Sequence, residues 1–120
     1  MPRILTVDDS VAMRQMTSAT LIAAGYEVVQ AANGREALAV ATEQSIDMVI
    51  TDVNMPQMDG IALVRELRSL SQYRLKPLLF LTTESAAGRK NEGREAGANA
   101  WMQKPFNSER LLLTVARFLK

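Results

Sequence analysis

The 120-residue sequence contains no cysteine and no histidine. Without cysteine, the chain has no disulfide, no zinc–thiolate site and no thiol nucleophile. Without histidine, it lacks the usual general base near neutral pH and the commonest ligand of transition metals. Any chemistry on this chain therefore depends on carboxylates, hydroxyls, lysines and the backbone.

The sequence also lacks a strong charge bias and a long apolar run. Its 14 Lys and Arg against 13 Asp and Glu leave a formal net charge of +1, which indicates no basic surface for nucleic acid or an anionic membrane. No apolar run approaches the roughly 18 residues of a membrane span, and the N-terminal residues predict a strand, not a signal peptide. We expect one cytoplasmic, monomeric domain over residues 1–120, with no nucleic-acid partner and no membrane insertion.

Short apolar runs alternate along the chain with stretches of helical periodicity. Runs of four or so residues are typical of strands buried on both faces of a parallel sheet. Strand followed by helix, repeated five times, predicts a doubly wound α/β sandwich around a five-stranded parallel sheet. The predicted strands cover residues 4–7, 28–29, 48–51, 78–81 and 100–102.

Capping residues mark several helix ends. Asn33, Asp59 and Asn107 are placed to cap the second, third and fifth helices at their N-termini. Gly97 follows the fourth helical stretch, where a left-handed residue is favoured. That fourth helix is predicted over roughly residues 86–96, with glycines that weaken it.

Polar side chains stand where the predicted strands end. Asp8 and Asp9 follow the first strand, Asp52 the third, Thr82 the fourth and Lys104 the fifth. Right-handed crossovers bring these strand ends to one edge of the sheet, where α/β proteins bind ligands. Three carboxylates at one edge repel one another, and folding stability alone gives no reason to collect them. The set is therefore a candidate functional site.

Each of these residues also has a structural interpretation when taken alone. Asp9 could cap the first helix, and Asp52 could form a turn before the loop that contains proline and glycine. Thr82 is a β-branched residue in a strand, and Lys104 could be an ordinary surface lysine. The combination of all of them favours function.

The residue types suggest phosphoryl chemistry. Oxygen ligands without histidine or cysteine favour Mg²⁺, and a lysine with a hydroxyl suits the oxygens of a phosphoryl group. Carboxylates can form aspartyl phosphates, and phosphoryl transfer needs positioning and charge neutralisation more than proton shuttling. Asp52, at the end of the central strand, is the best placed nucleophile, and the adjacent Asp8 and Asp9 suit metal binding.

Four segments carry a family resemblance, namely Val7-Asp8-Asp9, Asp52-Val53-Asn54-Met55-Pro56-Gln57-Met58-Asp59-Gly60, Leu81-Thr82-Thr83-Glu84 and Lys104-Pro105-Phe106. In this order and spacing they resemble the response-regulator receiver domain, most closely its single-domain chemotaxis (CheY-like) type. The resemblance covers the whole chain. It implies a flavodoxin-like sheet in the order 2-1-3-4-5 and a stand-alone response regulator of a two-component system that acts in chemotaxis.

By this resemblance, Asp52 is the phosphoacceptor and takes its phosphoryl group from a CheA-like histidine kinase. Asp9 and Asp52, with the backbone carbonyl of Asn54, would hold Mg²⁺, and Asp8 would act through water. Lys104 would bind a phosphoryl oxygen. The protein would promote only its own phosphorylation and dephosphorylation and would otherwise be no enzyme.

The resemblance also implies a switch. Thr82 would turn toward the phosphate and Trp101 would follow it inward, changing affinity for a target protein at the face of helix 4, strand 5 and helix 5. Trp101 stands where the family more often has Tyr or Phe, and a fixed, half-buried packing role is its alternative. Asn54 and Glu84 match positions that tune dephosphorylation, for which a phosphatase is a candidate partner. The Lys104–Pro105 peptide is expected to be cis.

Other functions stay open. The chain could be a phosphate sink or relay receiver outside chemotaxis, or a receiver that signals by binding alone, although the complete acid set argues against the latter. A haloacid-dehalogenase-type aspartyl-phosphate phosphatase has its nucleophile in an Asp-x-Asp after strand 1, unlike Asp8-Asp9-Ser10. A flavodoxin-like cofactor binder is disfavoured because the acid pair would repel phosphate. We expect no output domain after Lys120, and therefore output by protein contact or phosphate transfer.

Overall fold

A computed structural model of the chain describes residues 1–119, without the side chains of Glu84 and Ser85. The predicted domain extends to Lys120, which lies outside the described residues. Five strands alternate with five α-helices. The strands are β1 (Arg3–Val7), β2 (Glu27–Ala31), β3 (Met48–Thr51), β4 (Leu78–Thr82) and β5 (Ala100–Gln103).

Helices follow every strand. The α-helices are α1 (Val11–Ala23), α2 (Gly34–Glu43), α3 (Gly60–Arg68), α4 (Lys90–Ala96) and α5 (Ser108–Phe118), and the 3₁₀ segments are η1 (Ser71–Tyr73) and η2 (Glu84–Arg89). The longest helix, α1, has 13 residues. Among residues 1–119, every helix is too short or too polar to cross a lipid bilayer.

All strand pairings are parallel, in the order β2-β1-β3-β4-β5. The predicted doubly wound fold and strand order are therefore confirmed. The order reverses between β1 and β3, and ligands of such sheets bind outside the strand ends at this reversal. Val7 and Thr51, the last residues of these two strands, are register partners. The residues that follow them therefore start from neighbouring positions.

The central strands β3 and β4 are buried along their length because helices cover both faces of the sheet. Alternate residues contribute to two separate core clusters. Val49 and Phe80 pack with buried residues of α2, α3 and α4, whereas Ile50 and Leu79 pack with those of α1 and α5. The apolar runs of β3 and β4 therefore correspond to fully buried strands, whereas the edge strands β2 and β5 keep partly exposed residues.

The predicted helix caps are confirmed. Asn33, Asp59 and Asn107 each accept, through a side-chain oxygen, a hydrogen bond from the backbone N–H three residues later. Gly97 ends α4 with a φ of 113°, in the left-handed region. Each cap satisfies a backbone group that the helix end would otherwise leave unpaired.

The fourth helix is shorter than predicted. Its expected span of 86–96 is wrong, because α4 begins only at Lys90 and the 3₁₀ segment η2 precedes it. Gly88 disfavours α-helix by about 1 kcal/mol relative to alanine. The 3₁₀ segment places Ala86 in the core.

Gly93 has a packing role in α4 that its low helix propensity does not suggest. A Cβ atom at this position would lie 2.8 Å from the Phe80 ring and 3.1 Å from the Trp101 ring. Glycine therefore allows α4 to approach the two aromatic rings closely.

Gly60 gives a first testable prediction. Its N–H donates to the carbonyl of Val53 at 2.8 Å, and an added Cβ would overlap the carbonyl oxygen of Asp52. Because backbone cannot yield as a flexible side chain does, Gly60→Ala should lower the free energy of unfolding by at least about 2 kcal/mol.

Urea unfolding measures this effect, and Gly88→Ala is the matched control. No atom lies within 4 Å of a Cβ at Gly88, so this variant should be neutral or gain up to about 1 kcal/mol. Equal losses in both variants would contradict the steric explanation.

Candidate functional site

The predicted acidic residues meet at the carboxyl edge of the sheet. Asp8 follows β1, Asp52 follows β3, and Asp8, Asp9 and Asp52 each place a carboxylate oxygen within 4.8 Å of the other two. Asp8 and Asp52 are buried, whereas Asp9 is exposed. The sheet register therefore builds a cluster of three acids from two separate sequence segments.

Both carboxylate oxygens of Asp52 accept hydrogen bonds. Oδ1 accepts from the backbone N–H of Val53 at 2.7 Å and from the Thr82 hydroxyl at 2.6 Å. Oδ2 accepts from the Lys104 ammonium at 3.2 Å. Neighbouring strands β3 and β4 and the segment after β5 thus hold one carboxylate in a single orientation. Thr82 is therefore more than a strand-packing residue, because its hydroxyl donates a hydrogen bond to the Asp52 carboxylate.

The other two acids differ in their surroundings. Asp8 accepts from the Ser10 N–H at 2.9 Å and from Lys104 at 2.6 Å, one bond on each oxygen. Ser10 caps α1 by accepting from the N–H of Met13, so the idea that Asp9 caps this helix is wrong. Within residues 1–119, no hydrogen bond reaches the Asp9 carboxylate, which leaves its oxygens available to a ligand.

Lys104 is the cation of the site. Its side chain is only 9% exposed and lies against both Asp8 and Asp52, so the surface-lysine interpretation is wrong. Burial alone would lower the pKa of the Lys104 ammonium, but the hydrogen bond that it donates to Asp8 and the charges of Asp52 and Asp8 outweigh burial and raise the pKa above its ordinary value. The peptide that follows, Lys104–Pro105, is cis as predicted.

Three further predicted residues are Trp101, Asn54 and Glu84. Trp101, in β5, is half-buried and packs against the Phe80 ring in a tilted arrangement, with an interplanar angle of 59° and centroids 5.3 Å apart. Asn54 is exposed, two residues beyond Asp52. The side chain of Glu84 lies outside the described residues. The packing of Trp101 matches its structural alternative, and its role in a switch stays a prediction.

Arg14 was missed by sequence reasoning. Its Nη1 donates to the backbone carbonyl of Asp8 at 2.7 Å, and its Nε donates to the side chain of Gln30 at 3.0 Å. The sequence carries one signal that points to such contacts. Arg14 lies near the N-terminus of α1, where the helix dipole disfavours a cation, so a compensating partner is expected.

The acidic residues fit a magnesium ion. Asp8, Asp9 and Asp52 offer oxygen ligands only, in a cluster small enough for one ion. Hard divalent cations prefer such ligands, and Mg²⁺ commonly binds through one or two carboxylates together with water and phosphate oxygens. Lys104 and Thr82 lie beside the same cluster as donors for anionic oxygens.

Sequence comparisons relate the chain to known proteins. A family model described as the response regulator receiver domain matches residues 4–116. Response regulator MprA of Mycolicibacterium vanbaalenii is 38% identical over 118 residues, which are 98% of this chain and 50% of that protein. The DNA-binding dual master transcriptional regulator RpaA of Synechocystis is 34% identical over 120 residues, 100% of this chain and 50% of that protein. The chain thus spans about half the length of these curated relatives.

Solved structures give a similar result. Chemotaxis protein CheY4 of Vibrio cholerae superposes with a TM-score of 0.93 at 52% identity, over 98% of both chains. The receiver domain of sensor histidine kinase PA1611 from Pseudomonas aeruginosa superposes with a TM-score of 0.91 at 30% identity, over 98% of this chain and 97% of that one. That structure holds a magnesium ion in its active-site cleft.

Lys104 provides a second prediction, about stability without metal. In buffer with EDTA, Lys104→Met should lower the free energy of unfolding by about 2–4 kcal/mol, because it leaves Asp8 and Asp52 facing each other without their cation. Lys76→Met is the control. Lys76 forms a more exposed ion pair with Asp47 at 3.6 Å, and its loss should change stability by less than about 1 kcal/mol.

The raised pKa of Lys104 predicts that the difference in stability between wild type and Lys104→Met depends on pH. Folding raises the pKa of Lys104 above its ordinary 10.5. The charged Lys104 therefore contributes fully to the free energy of unfolding below pH 10.5, and this contribution is lost as the pH rises through the folded-state pKa. Urea unfolding should show a constant difference between wild type and Lys104→Met near neutral pH, and a smaller one above about pH 10.5. A difference that grows with pH would contradict this account.

Proposed function

The chain belongs to the response regulator receiver domain family of two-component systems, and we propose that it is a phosphoreceiver of the chemotaxis type with Asp52 as phosphoacceptor. One observation carries the proposal. The Asp52 carboxylate lies at the strand-order reversal with Thr82 and Lys104 hydrogen-bonded to it and two further acids beside it. These are the groups that an aspartyl phosphate requires around it.

The proposed reaction transfers a phosphoryl group from a histidine kinase. A carboxylate oxygen of Asp52 forms a bond to phosphorus as the phosphorus–nitrogen bond of the kinase phosphohistidine breaks, and the electron pair of that bond returns to the imidazole. Lys104 and Thr82 would donate hydrogen bonds to the transferred phosphoryl oxygens. Because this chain has no histidine, the phosphohistidine comes from the partner. The chain would promote only its own phosphorylation and dephosphorylation.

Magnesium would be held by Asp9, Asp52 and the backbone carbonyl of Asn54, with Asp8 acting through water. The exposure of the Asp9 carboxylate supports its place in this division. Asp8 and Asp52 each already accept hydrogen bonds on both oxygens, so the direct role of Asp52 follows from the family resemblance. When bound, Mg²⁺ would neutralise charge on the acids and on the phosphoryl oxygens.

The proposed output surface is the face of α4, β5 and α5, where a downstream protein would bind. Trp101 supports this choice because it lines two adjoining grooves on that face. One groove is also lined by Lys90 and Arg94 of α4, and the other by Arg110 and Leu111 of α5. Any inward movement of the Trp101 ring after Thr82 engages the phosphate would change both grooves. Asn54 and Glu84 would tune how long the phosphate lasts, alone or with a phosphatase.

A second candidate function is a phosphate sink or relay receiver of another two-component pathway. CheY4, at 52% identity and matching length, favours chemotaxis. The transcriptional regulator RpaA among the curated relatives favours a two-component pathway other than chemotaxis. An aspartyl-phosphate phosphatase has less support, since the family match covers most of the chain.

Asp52 provides the third prediction. Wild-type protein incubated with acetyl phosphate and Mg²⁺ should gain one phosphoryl group, measured by intact-protein mass spectrometry, and Asp52→Asn should gain none because an amide cannot form the acyl phosphate. Asp47→Asn, which changes a partly exposed acid paired with Lys76, should be labelled like wild type. Labelling of Asp52→Asn at the wild-type level would overturn the assignment.

Kinase preference separates the two candidate functions and provides the fourth prediction. Purified histidine kinases of the source organism, each phosphorylated with labelled ATP, are mixed with the protein for short times. The chemotaxis kinase should transfer its label at least about tenfold faster than the others, because partner surfaces discriminate between related complexes. Faster transfer from another kinase would favour the sink or relay, and rapid hydrolysis of free phosphomonoesters would favour the phosphatase.

A further inference from the structure

We propose that Arg14 is a positioning residue for the divalent cation, acting through the peptide group that joins Asp8 to Asp9. The inference rests on the proposed function, because it concerns the same cation. Arg14 would touch neither the cation nor the phosphoryl group. It would hold the backbone that presents Asp9.

The Asp8–Asp9 peptide lies where the chain leaves the sheet. The N–H of Asp8 still bonds to the carbonyl of Ala31 at 3.2 Å, which continues the pairing of β1 with β2. The Asp8 carbonyl instead accepts from Arg14 Nη1 at 2.7 Å. Since a peptide group is planar, a bond to its carbonyl fixes the orientation of the whole unit up to the Cα of Asp9.

Asp9 depends on this backbone more than Asp8 does. Ser10 and Lys104 hold the Asp8 carboxylate directly. In the part of the chain that the structure describes, the Asp9 carboxylate has no hydrogen-bond partner. Loss of the Arg14 bond would therefore displace Asp9 while leaving Asp8 anchored.

Arg14 is itself held in place from the edge strand. Its Nε donates to Gln30 Oε1 at 3.0 Å, and Gln30 lies in β2 opposite Thr6 of β1. Arg14 also lines the small cavity that Asp8 and Asp52 line. Arg14 thus connects β2 to the β1–α1 turn beside the acids.

The positive charge of Arg14 and its proposed positioning role predict opposite changes in Mg²⁺ affinity when Arg14 is replaced. A guanidinium near the site repels a divalent cation, so removing the charge alone would tighten Mg²⁺ binding. Removing a group that positions a ligand weakens binding, by about 10- to 100-fold for the hydrogen-bond partners of metal ligands. The direction of the change in affinity therefore separates the two roles.

The experiment is isothermal titration of Mg²⁺ into the full chain at constant ionic strength. Arg14→Gln should weaken Mg²⁺ binding by about tenfold, at the lower end for a group acting through backbone. Arg14→Lys, which keeps the charge and one donor, should recover part of this loss. Gln30→Ala, which removes only the exposed support, should weaken binding by about twofold. Arg35→Gln is the control for charge, since Arg35 is exposed in the first turn of α2, and it should not weaken binding.

Unchanged or tighter Mg²⁺ binding by Arg14→Gln would overturn the positioning role. Thermal unfolding in EDTA shows whether each variant folds, and if Arg14→Gln does not, the Gln30→Ala result decides, with wild-type affinity overturning the proposal. Failure of the wild-type chain to bind Mg²⁺ at all would instead overturn the proposed function. The two failures are therefore distinguishable.

Discussion

Repulsion among three carboxylates is the constraint around which this molecule is organised. A parallel sheet places the ends of β1 and β3 side by side, and both segments continue with aspartate. The ammonium of Lys104, brought from the end of β5, lies against two of the three acids and lowers the cost of their proximity. The balance is incomplete, since in the described part of the chain only the Lys104 ammonium forms ion pairs with these acids, and it pairs with two of the three. A site of this kind favours a further cation and, with that cation, an anionic group.

Much of the fold and of the acidic site could be predicted because the signals are local. Continuous apolar runs identify strands buried on both faces, and Asn33, Asp59 and Asn107 mark helix starts by a hydrogen bond within one turn. The crossover rule then brings Asp8 and Asp52 together without any knowledge of side-chain packing. The residue types at the strand ends and the topology of the chain therefore both predict a site at the same edge of the sheet.

Other features could not be predicted, because they depend on contacts distant in the sequence. Arg14 acts through a backbone carbonyl, which every residue possesses, so no pattern of side chains identifies its partner. The 3₁₀ segment η2 stands where the sequence predicts a helical turn, and the burial of Ala86 within it depends on packing against the core, which is distant in the sequence. The capping interpretation of Asp9 failed for a similar reason, since Ser10, one residue later, is the actual cap.

Gly93 and Trp101 are complementary in volume across the α4–β5 boundary. Phe80 and Trp101 are register partners on adjacent strands, and the missing side chain at Gly93 leaves room for both rings. Transplanting the α4–β5 packing onto another receiver scaffold therefore requires that the glycine and the tryptophan be moved together. A larger residue at 93 would push the helix from the sheet, and a smaller ring at 101 would leave a void beneath it. Positions 93 and 101 should therefore be substituted together.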